Sequence, residues 1–153
     1  MIARVIAVTT GAIFSAMSKT HPRVVRALQS LAVEAPIKLR VVGDCMAPLA
    51  VSGAPVWVSH RKHYWPGDVL AFRAADGSLL LHRLIGFRPR AAALDLVTQG
   101  DSCSRHDVPV RIEDVIGKVS GGDCARELTH VPVTHRLKAL FRFASVVLRK
   151  FSK

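Results

Sequence analysis

The residue whose type and position most directly suggest chemistry is Cys45. It follows a predicted strand and precedes Met46-Ala47-Pro48, in which the proline stiffens the turn. A thiolate is the nucleophilic form of cysteine, and a thiol ionises more readily than a hydroxyl, so a neutral histidine suffices as its base. A single cysteine is more often a small buried apolar residue than a nucleophile, but the neighbouring sequence favours the nucleophile here.

His82 is the candidate base for this thiol. It lies in the apolar run 80–85, where a lone histidine is more often structural than catalytic. Arg83 follows it directly, and strand alternation points the two side chains to opposite faces. The interval between Cys45 and His82 accommodates a turn and a hairpin, which would return the second strand to the nucleophile.

Short strands must position these two residues. Runs rich in valine, leucine and isoleucine are separated by turn signals such as Pro66-Gly67-Asp68 and Asp76-Gly77. The second of these turns, between residues 70–73 and 79–81, predicts a hairpin. We therefore predict a mainly β domain of antiparallel strands over residues 37–123. Its predicted strands are 38–42, 55–59, 69–73, 79–86, 94–98 and 115–119.

Residues 1–36 are predicted to form an N-terminal helical segment. Thr20-His21-Pro22 has the pattern of a helix start, because proline is tolerated in the first turn, and Pro36 ends this helix. Before it, residues 5–17 form an apolar stretch shorter than the about 20 residues that a membrane span needs. A buried or peripheral helix is the favoured interpretation, with a marginal anchor or a signal-like segment as alternatives.

Residues 124–153 are predicted to contain a basic amphipathic helix that Thr134 caps. Its apolar residues recur at helical spacing, and arginines and lysines interrupt them. Such a helix is too charged to span a bilayer and suited to lie on one, and packing on the β domain or on a partner fits the pattern equally well. The apolar positions are Leu137, Leu140, Phe141, Ala144, Val147, Leu148 and Phe151.

The distribution of charge along the chain limits the kinds of partner that it could bind. The chain has 153 residues and a net charge of +11, carried by its two flanks, whereas residues 41–123 hold equal numbers of acidic and basic side chains. Basic flanks favour anionic lipid headgroups or nucleic acid, or form solvated helix faces. Nucleic acid is the least favoured partner, because aromatic residues are few and residues 1–36 are short for a helix-turn-helix domain.

The cysteines bear on compartment and metal binding. Cys45, Cys103 and Cys124 are odd in number and widely spaced, which predicts neither a disulfide framework nor a zinc site. A nucleophilic cysteine must stay reduced, so a reducing compartment is the simpler inference. We predict no metal and no cofactor, and a location that is either cytoplasmic or peripheral to a membrane.

Six blocks of sequence resemble, in order, the signal peptidase I superfamily, which includes the LexA-type peptidases. The first block resembles the nucleophile motif G-x-S-M-x-P, with sulfur in place of oxygen. The similarity is closest to the endoplasmic-reticulum and archaeal-type branch, which uses a serine, a histidine and an aspartate. The blocks are GDCMAP at 43–48, PGDVLAF at 66–72, LLHRLIG at 80–86, VTQGDS at 97–102, DVPV at 107–110 and VIGKV at 115–119.

The resemblance implies an antiparallel β fold of the signal peptidase and LexA type and a peptidase that cleaves a peptide or protein precursor. Cys45 takes the place of the nucleophile and His82 that of the general base. Asp107 matches the third catalytic residue. Asp101 resembles a structural aspartate beside the site and is the second choice for orienting His82. Such peptidases need no metal or cofactor and bind their substrate as an extended strand.

Departures from the family pattern leave two alternatives open, a catalytically inactive peptide-binding relative and a LexA-like regulatory protein. Cys45 replaces serine, and the Gly-Asp pair of the family's second block is Gly53-Ala54. Gly43 stands where bacterial members often have a serine that helps to hold the oxyanion. The oxyanion must then rely on backbone N–H groups. The residues expected to hold substrate or oxyanion are Gly43, Asp44, Met46 and Pro48.

Cys103 raises one further hypothesis. It lies in the loop 100–107, which the resemblance brings near the site. A disulfide between Cys45 and Cys103 would silence the nucleophile.

Overall fold

The computed structural model describes residues 4–9, 12–13, 19–91, 93–124 and 126–151. It is mainly antiparallel β with an N-terminal helix and a C-terminal helix, as the sequence predicts. In chain order the elements are β1 Arg4–Thr9, β2 Ala12–Ile13, α1 Pro22–Glu34, β3 Ile37–Val42, β4 Pro55–Ser59, β5 Val69–Arg73, β6 Leu79–Arg90, β7 Ala93–Gln99, β8 Val115–Gly122, α2 Arg126–Thr129 and α3 Val133–Phe151.

The strands form one sheet in the order β2-β1-β3-β4-β8-β5-β6-β7. The sheet curls, so that β1 also pairs with β6 through Arg4 and Leu80. The predicted β5–β6 hairpin is confirmed, with Leu70 opposite His82. Its turn contains Gly77 at a φ of 87°, a conformation that glycine adopts without steric penalty.

Strand β6 is longer than predicted and serves two neighbours. Its first half pairs with β5 and its second half with β7, and Arg83 pairs with both Val69 and Gln99. Helix α3 lies against the second half. A Cβ on Gly86 would collide with the ring of Phe143, so the glycine permits the helix to approach closely.

The beginning of the chain differs from the prediction. Arg4–Thr9 is a strand paired with β3, and Ala12–Ile13 pairs back onto it. A short apolar run suits a buried strand as well as a helix, and here β3 offers a free edge for pairing. The helical interpretation is therefore wrong for these residues, and the rest of the stretch 1–17 lies outside the described residues. Because β1 belongs to the sheet, residues 1–36 are not a separate helical segment.

Helix α1 fits its prediction. Pro22 occupies the first turn, and His21 caps the helix by accepting a hydrogen bond from the backbone N–H of Arg23. The helix buries Val25, Leu28 and Ala32 against the sheet. That layer forms the main hydrophobic core, together with Leu39, Val41, Met46, Val56, Val58, Ala71, Leu81, Ile116 and Val119.

Helix α3 departs from its prediction at its start. It begins at Val133, so Thr134 lies inside the first turn and does not cap it; the carbonyl of Pro132 accepts from the N–H groups of His135 and Arg136. Of the two arrangements open to its apolar stripe, packing on the β domain is not seen, because the residues of that stripe between 137 and 148 are exposed. The helix instead docks through a different line of residues, Ala139, Phe143 and Val146.

A buried thiol beside a hydrogen-bonded imidazole

Cys45 lies in the turn that follows β3. Its side chain is 3% exposed. Gly43 has a φ of 97°, which turns the chain sharply after the strand, and its N–H donates to Ser52 Oγ. The backbone N–H of Ser102 donates to the carbonyl of Cys45 over 2.9 Å. The loop after β7 is therefore fixed against the turn that carries the thiol.

His82 lies in the middle of β6 and is 1% exposed. Its Nδ1 is 2.7 Å from Oδ2 of Asp107, and Thr98 Oγ1 donates to the same oxygen, also over 2.7 Å. An ionised carboxylate only accepts hydrogen bonds, so we assign the proton to Nδ1. Nε2 then carries the lone pair. This buried atom has no hydrogen-bond partner among the described residues.

The two sulfurs of Cys45 and Cys103 and one ring nitrogen of His82 lie within 4.8 Å of one another. Because Asp107 occupies Nδ1, Nε2 is the nitrogen that can serve the sulfurs. The Cys45 and Cys103 thiols are therefore direct neighbours. Burial, reinforced by this contact with Cys45, raises the pKa of Cys103 from 9.0 to about 11. Cys103 therefore remains protonated at neutral pH and can donate to Cys45.

Asp101 does not orient the imidazole. Its carboxylate forms a bidentate pair with Arg83, from Nε at 2.8 Å and from Nη2 at 2.7 Å. Arg142 of α3 approaches the same carboxylate at 3.6 Å. The orienting role that we considered for Asp101 is thus wrong, because strand alternation sends Arg83 and its partner away from His82. A structural role beside the site fits its contacts.

The four residues expected to hold substrate or oxyanion occupy different environments. Met46 is fully buried in the main core, where it anchors the turn by packing, and it cannot contact a substrate. The N–H of Gly43 is engaged by Ser52 and is not an oxyanion donor. Asp44 is exposed, and its carbonyl accepts from the N–H of Ala47. The prediction is therefore wrong for Met46, and Gly43 cannot hold an oxyanion through its N–H.

Pro48 borders a cavity of about 250 Å³ between the turn that carries Cys45 and α3. Apolar side chains line part of the cavity, and charged or titratable side chains, including the ion pair of Arg83 and Asp101, line the rest. Its charged and titratable wall residues are Arg83, Asp101, His135, Lys138 and Arg142.

Sequence reasoning missed Thr98, whereas the resemblance did bring Cys103 near the site; the structure has no disulfide between Cys45 and Cys103. Thr98 is fully buried and hydrogen bonds Asp107 twice, through its hydroxyl and through its carbonyl, which accepts the Asp107 N–H over 2.8 Å. The signal available in the sequence was the position of this threonine in the block 97–102, two residues before Gly100. Gly100 explains the position of Cys103, since a Cβ there would lie 2.7 Å from Cys103 Sγ and 3.0 Å from Cys45 Cβ.

Comparisons with protein-family models, with curated proteins and with solved structures found no match to this chain.

Proposed function

We propose that this protein is a thiol endopeptidase of the signal peptidase I type that cleaves a peptide or protein precursor. One observation carries the proposal. The buried thiol of Cys45 lies beside the buried imidazole of His82, and Nδ1 of that imidazole is hydrogen bonded to the carboxylate of Asp107. Nucleophile, base and orienting group are the three parts that thiol and serine peptidases require.

Catalysis begins with transfer of the Cys45 thiol proton to Nε2 of His82. The resulting thiolate attacks the scissile carbonyl carbon, and a carbon–sulfur bond forms. His82 returns its proton to the leaving amine as the carbon–nitrogen bond breaks, which leaves a thioester on Cys45. Water then attacks the thioester and gives its proton to His82, and that proton restores the thiol as the acid product leaves.

Asp107 and Thr98 prepare His82 for this exchange. Asp107 fixes the tautomer that exposes the Nε2 lone pair and stabilises the imidazolium once it forms. Thr98 holds the carboxylate oxygen in place. The Cys45 sulfur lies within 4.8 Å of a ring nitrogen of His82, so the thiol is placed to give its proton to the imidazole.

The oxyanion is proposed to bind to backbone N–H groups of the turn around Cys45. Gly43 offers no side-chain hydroxyl, and its N–H already donates to Ser52. Losing one oxyanion donor typically costs about 3 kcal/mol of transition-state stabilisation.

A peptide library read by mass spectrometry tests the activity. We expect the wild-type protein to cut at reproducible positions, and the Cys45→Ala and His82→Ala variants to cut at none of them. Cys124→Ala is the matched control, because this half-buried thiol contacts the carbonyl of Gly121 away from His82. Equal cleavage by the wild type and the first two variants would remove the proposal.

A second candidate, an inert peptide-binding relative, is favoured by one observation. Nε2 of His82 lacks a hydrogen-bond partner among the described residues, so the imidazole does not hydrogen bond the Cys45 thiol in this structure. A binder would retain peptides without cutting them. Library peptides that bind wild-type and Cys45→Ala protein equally, with no product from either, would identify this second function.

We also propose that α3 attaches the protein to an anionic membrane surface. No helix in the described part of the chain is long and apolar enough to cross a bilayer. The α3 sequence contains five basic residues and no acidic one. Its apolar stripe is exposed, with Phe141 at 74% and Leu148 at 68%. An exposed apolar face on a basic helix suits the headgroup region of a charged bilayer.

Vesicle sedimentation tests this attachment. We expect the protein to sediment with vesicles of phosphatidylglycerol and phosphatidylcholine, and to bind them less in high salt. Phe141→Asp should abolish the binding, whereas Thr134→Asp, with the same charge change at an exposed position of α3, should retain most of it. Equal binding by the two variants, or a concentration-dependent dimer that buries Phe141, would refute membrane attachment.

A further inference from the structure

We infer that Cys45, Cys103 and His82 form a binding site for a soft divalent metal ion, with Zn²⁺ as the best match. Two thiolates and one imidazole are a common donor set for zinc. As thiolates, the two sulfurs carry a combined charge of −2, which neutralises the +2 charge of the ion. None of the three residues is near another in sequence.

The distances support one shared ion. The three donor atoms lie within 4.8 Å of one another. Tetrahedral Zn²⁺, with Zn–S of about 2.3 Å and Zn–N of about 2.0 Å, separates its ligand atoms by about 3.5–3.8 Å. Small side-chain rotations therefore suffice to bring the donors to these separations. Three protein ligands would leave a fourth coordination position.

The imidazole is prepared as metal ligands usually are. A metal-bound histidine typically donates its other ring N–H to a carboxylate, which fixes the ring and its tautomer. His82 does so to Asp107, which Thr98 hydrogen bonds in turn. This leaves Nε2 buried without a hydrogen-bond partner among the described residues. Buried polar atoms nearly always have a hydrogen-bond partner, and a bound ion is one of the ordinary explanations for an exception.

The loop that carries Cys103 is held in place independently of any ion. Gln99 Nε2 donates to the Cys103 carbonyl over 2.6 Å, and the Cys103 N–H donates to the Gly100 carbonyl over 3.0 Å. Ser102 adds two bonds to the nucleophile turn, from its N–H to Cys45 and from its hydroxyl to the Ala47 carbonyl. The second sulfur is thus delivered by a bonded loop, which distinguishes the cluster from a chance approach of two cysteines.

The consequence for activity rests on the proposed function. An ion at this site would occupy the Cys45 thiolate and the His82 lone pair, the two groups that cleavage needs. Binding replaces two thiol protons, which pass to solvent, and forms two metal–sulfur bonds and one metal–nitrogen bond. The ion-loaded protein is then a resting form, and chelation or loss of the ion restores the peptidase.

Cobalt titration of the reduced, chelator-treated protein tests the site without any substrate. We expect one equivalent of Co²⁺ to produce the thiolate-to-cobalt absorption and the visible bands of a tetrahedral centre, and Zn²⁺ to displace it. Cys45→Ser and Cys103→Ser should lose or weaken both signals, whereas Cys124→Ser should retain them. Absence of the bands in the wild type, or full bands in Cys45→Ser or Cys103→Ser, would overturn the inference.

A second measurement needs no variant. Zn²⁺ should protect Cys45 and Cys103 of the wild type from alkylation while leaving Cys124 unprotected, as mapped by mass spectrometry. Equal protection of all three cysteines would also overturn the site. Protein that cleaves peptides but binds no cobalt excludes the metal site alone, and protein that binds one ion but never cleaves after chelation excludes the peptidase alone.

Discussion

Nδ1 of His82 and Oδ2 of Asp107 are 2.7 Å apart, although 25 positions of sequence separate the two residues. The first lies in the middle of β6, and the second lies in the loop after β7. Thr98 of β7 bonds Asp107 from the side and fixes its carboxylate toward the imidazole. This contact gives the histidine a defined tautomer, which is a requirement of both the proposed peptidase and the proposed metal site.

Asp107→Asn should therefore impair cleavage more than it impairs substrate binding. An amide at this position no longer fixes the Nδ1 proton or stabilises an imidazolium. We expect kcat to fall on the order of 10²–10⁴-fold with little change in KM. Steady-state kinetics on a peptide identified from the library would measure this. Asp76→Asn, in the exposed β5–β6 turn, is the control, and an equal loss in both variants would contradict the role of Asp107.

Asp101→Ala should destabilise the fold. Arg83 is 4% exposed and relies on Asp101 for two of its hydrogen bonds, with Gly67 accepting a third. Removing one partner of a buried ion pair typically costs about 3–5 kcal/mol. Urea unfolding would measure the loss. Glu113→Ala breaks the exposed pair with Arg111 and should cost no more than about 1 kcal/mol, so comparable losses would contradict the account.

Gly86→Ala should loosen α3 from the sheet. The new methyl group would collide with the Phe143 ring near the root of that side chain, where rotation cannot fully relieve the contact. Overpacking of this kind typically costs about 1–3 kcal/mol. In the Phe143→Ala background the same substitution should cost clearly less, because the ring is absent. Additive losses in a double-mutant cycle of urea unfolding would show that the two residues do not meet.

Alkaline pH should destabilise the protein through Cys103. Its pKa is raised to about 11 by burial and by Cys45, whereas unfolding returns it toward 9.0. Between these values the folded state holds a proton that the unfolded state has lost, so stability falls as the pH rises from about 9 to about 11. Cys103→Ser should remove this part of the slope, measured by urea unfolding across that range. Ser104→Ala, the adjacent exposed control, should leave the slope unchanged.

The β5–β6 hairpin shows what the sequence could reveal. Its turn residues and its period of two predicted both the pairing and the opposite orientation of His82 and Arg83, and those local rules hold in the structure. The choice between Asp101 and Asp107 was harder. Both lie in one short loop, and only the pairing of β6 with β7 decides which carboxylate reaches which strand face.

Nonlocal contacts explain the remaining differences. No spacing rule predicts that Cys103 lies beside Cys45. The loop that carries Cys103 is held against the turn of Cys45 by hydrogen bonds from Ser102. The apolar period of α3 identified a helix but not the face that packs, since Gly86 selects Phe143 by steric fit. Near the N-terminus, periodicity could not distinguish a strand from a helix in the short apolar segment Arg4–Thr9. Pairing with β3 makes this segment a strand.

The most direct test of the central claim is the relative alkylation rate of the three cysteines, measured with limiting iodoacetamide at neutral pH in the presence of a chelator. If His82 activates Cys45, that residue should react faster than Cys103 and Cys124, whose pKa values are both raised by burial. The preference should disappear in His82→Gln. A Cys45 that reacts no faster than the other two, or equally fast with and without His82, would contradict the account.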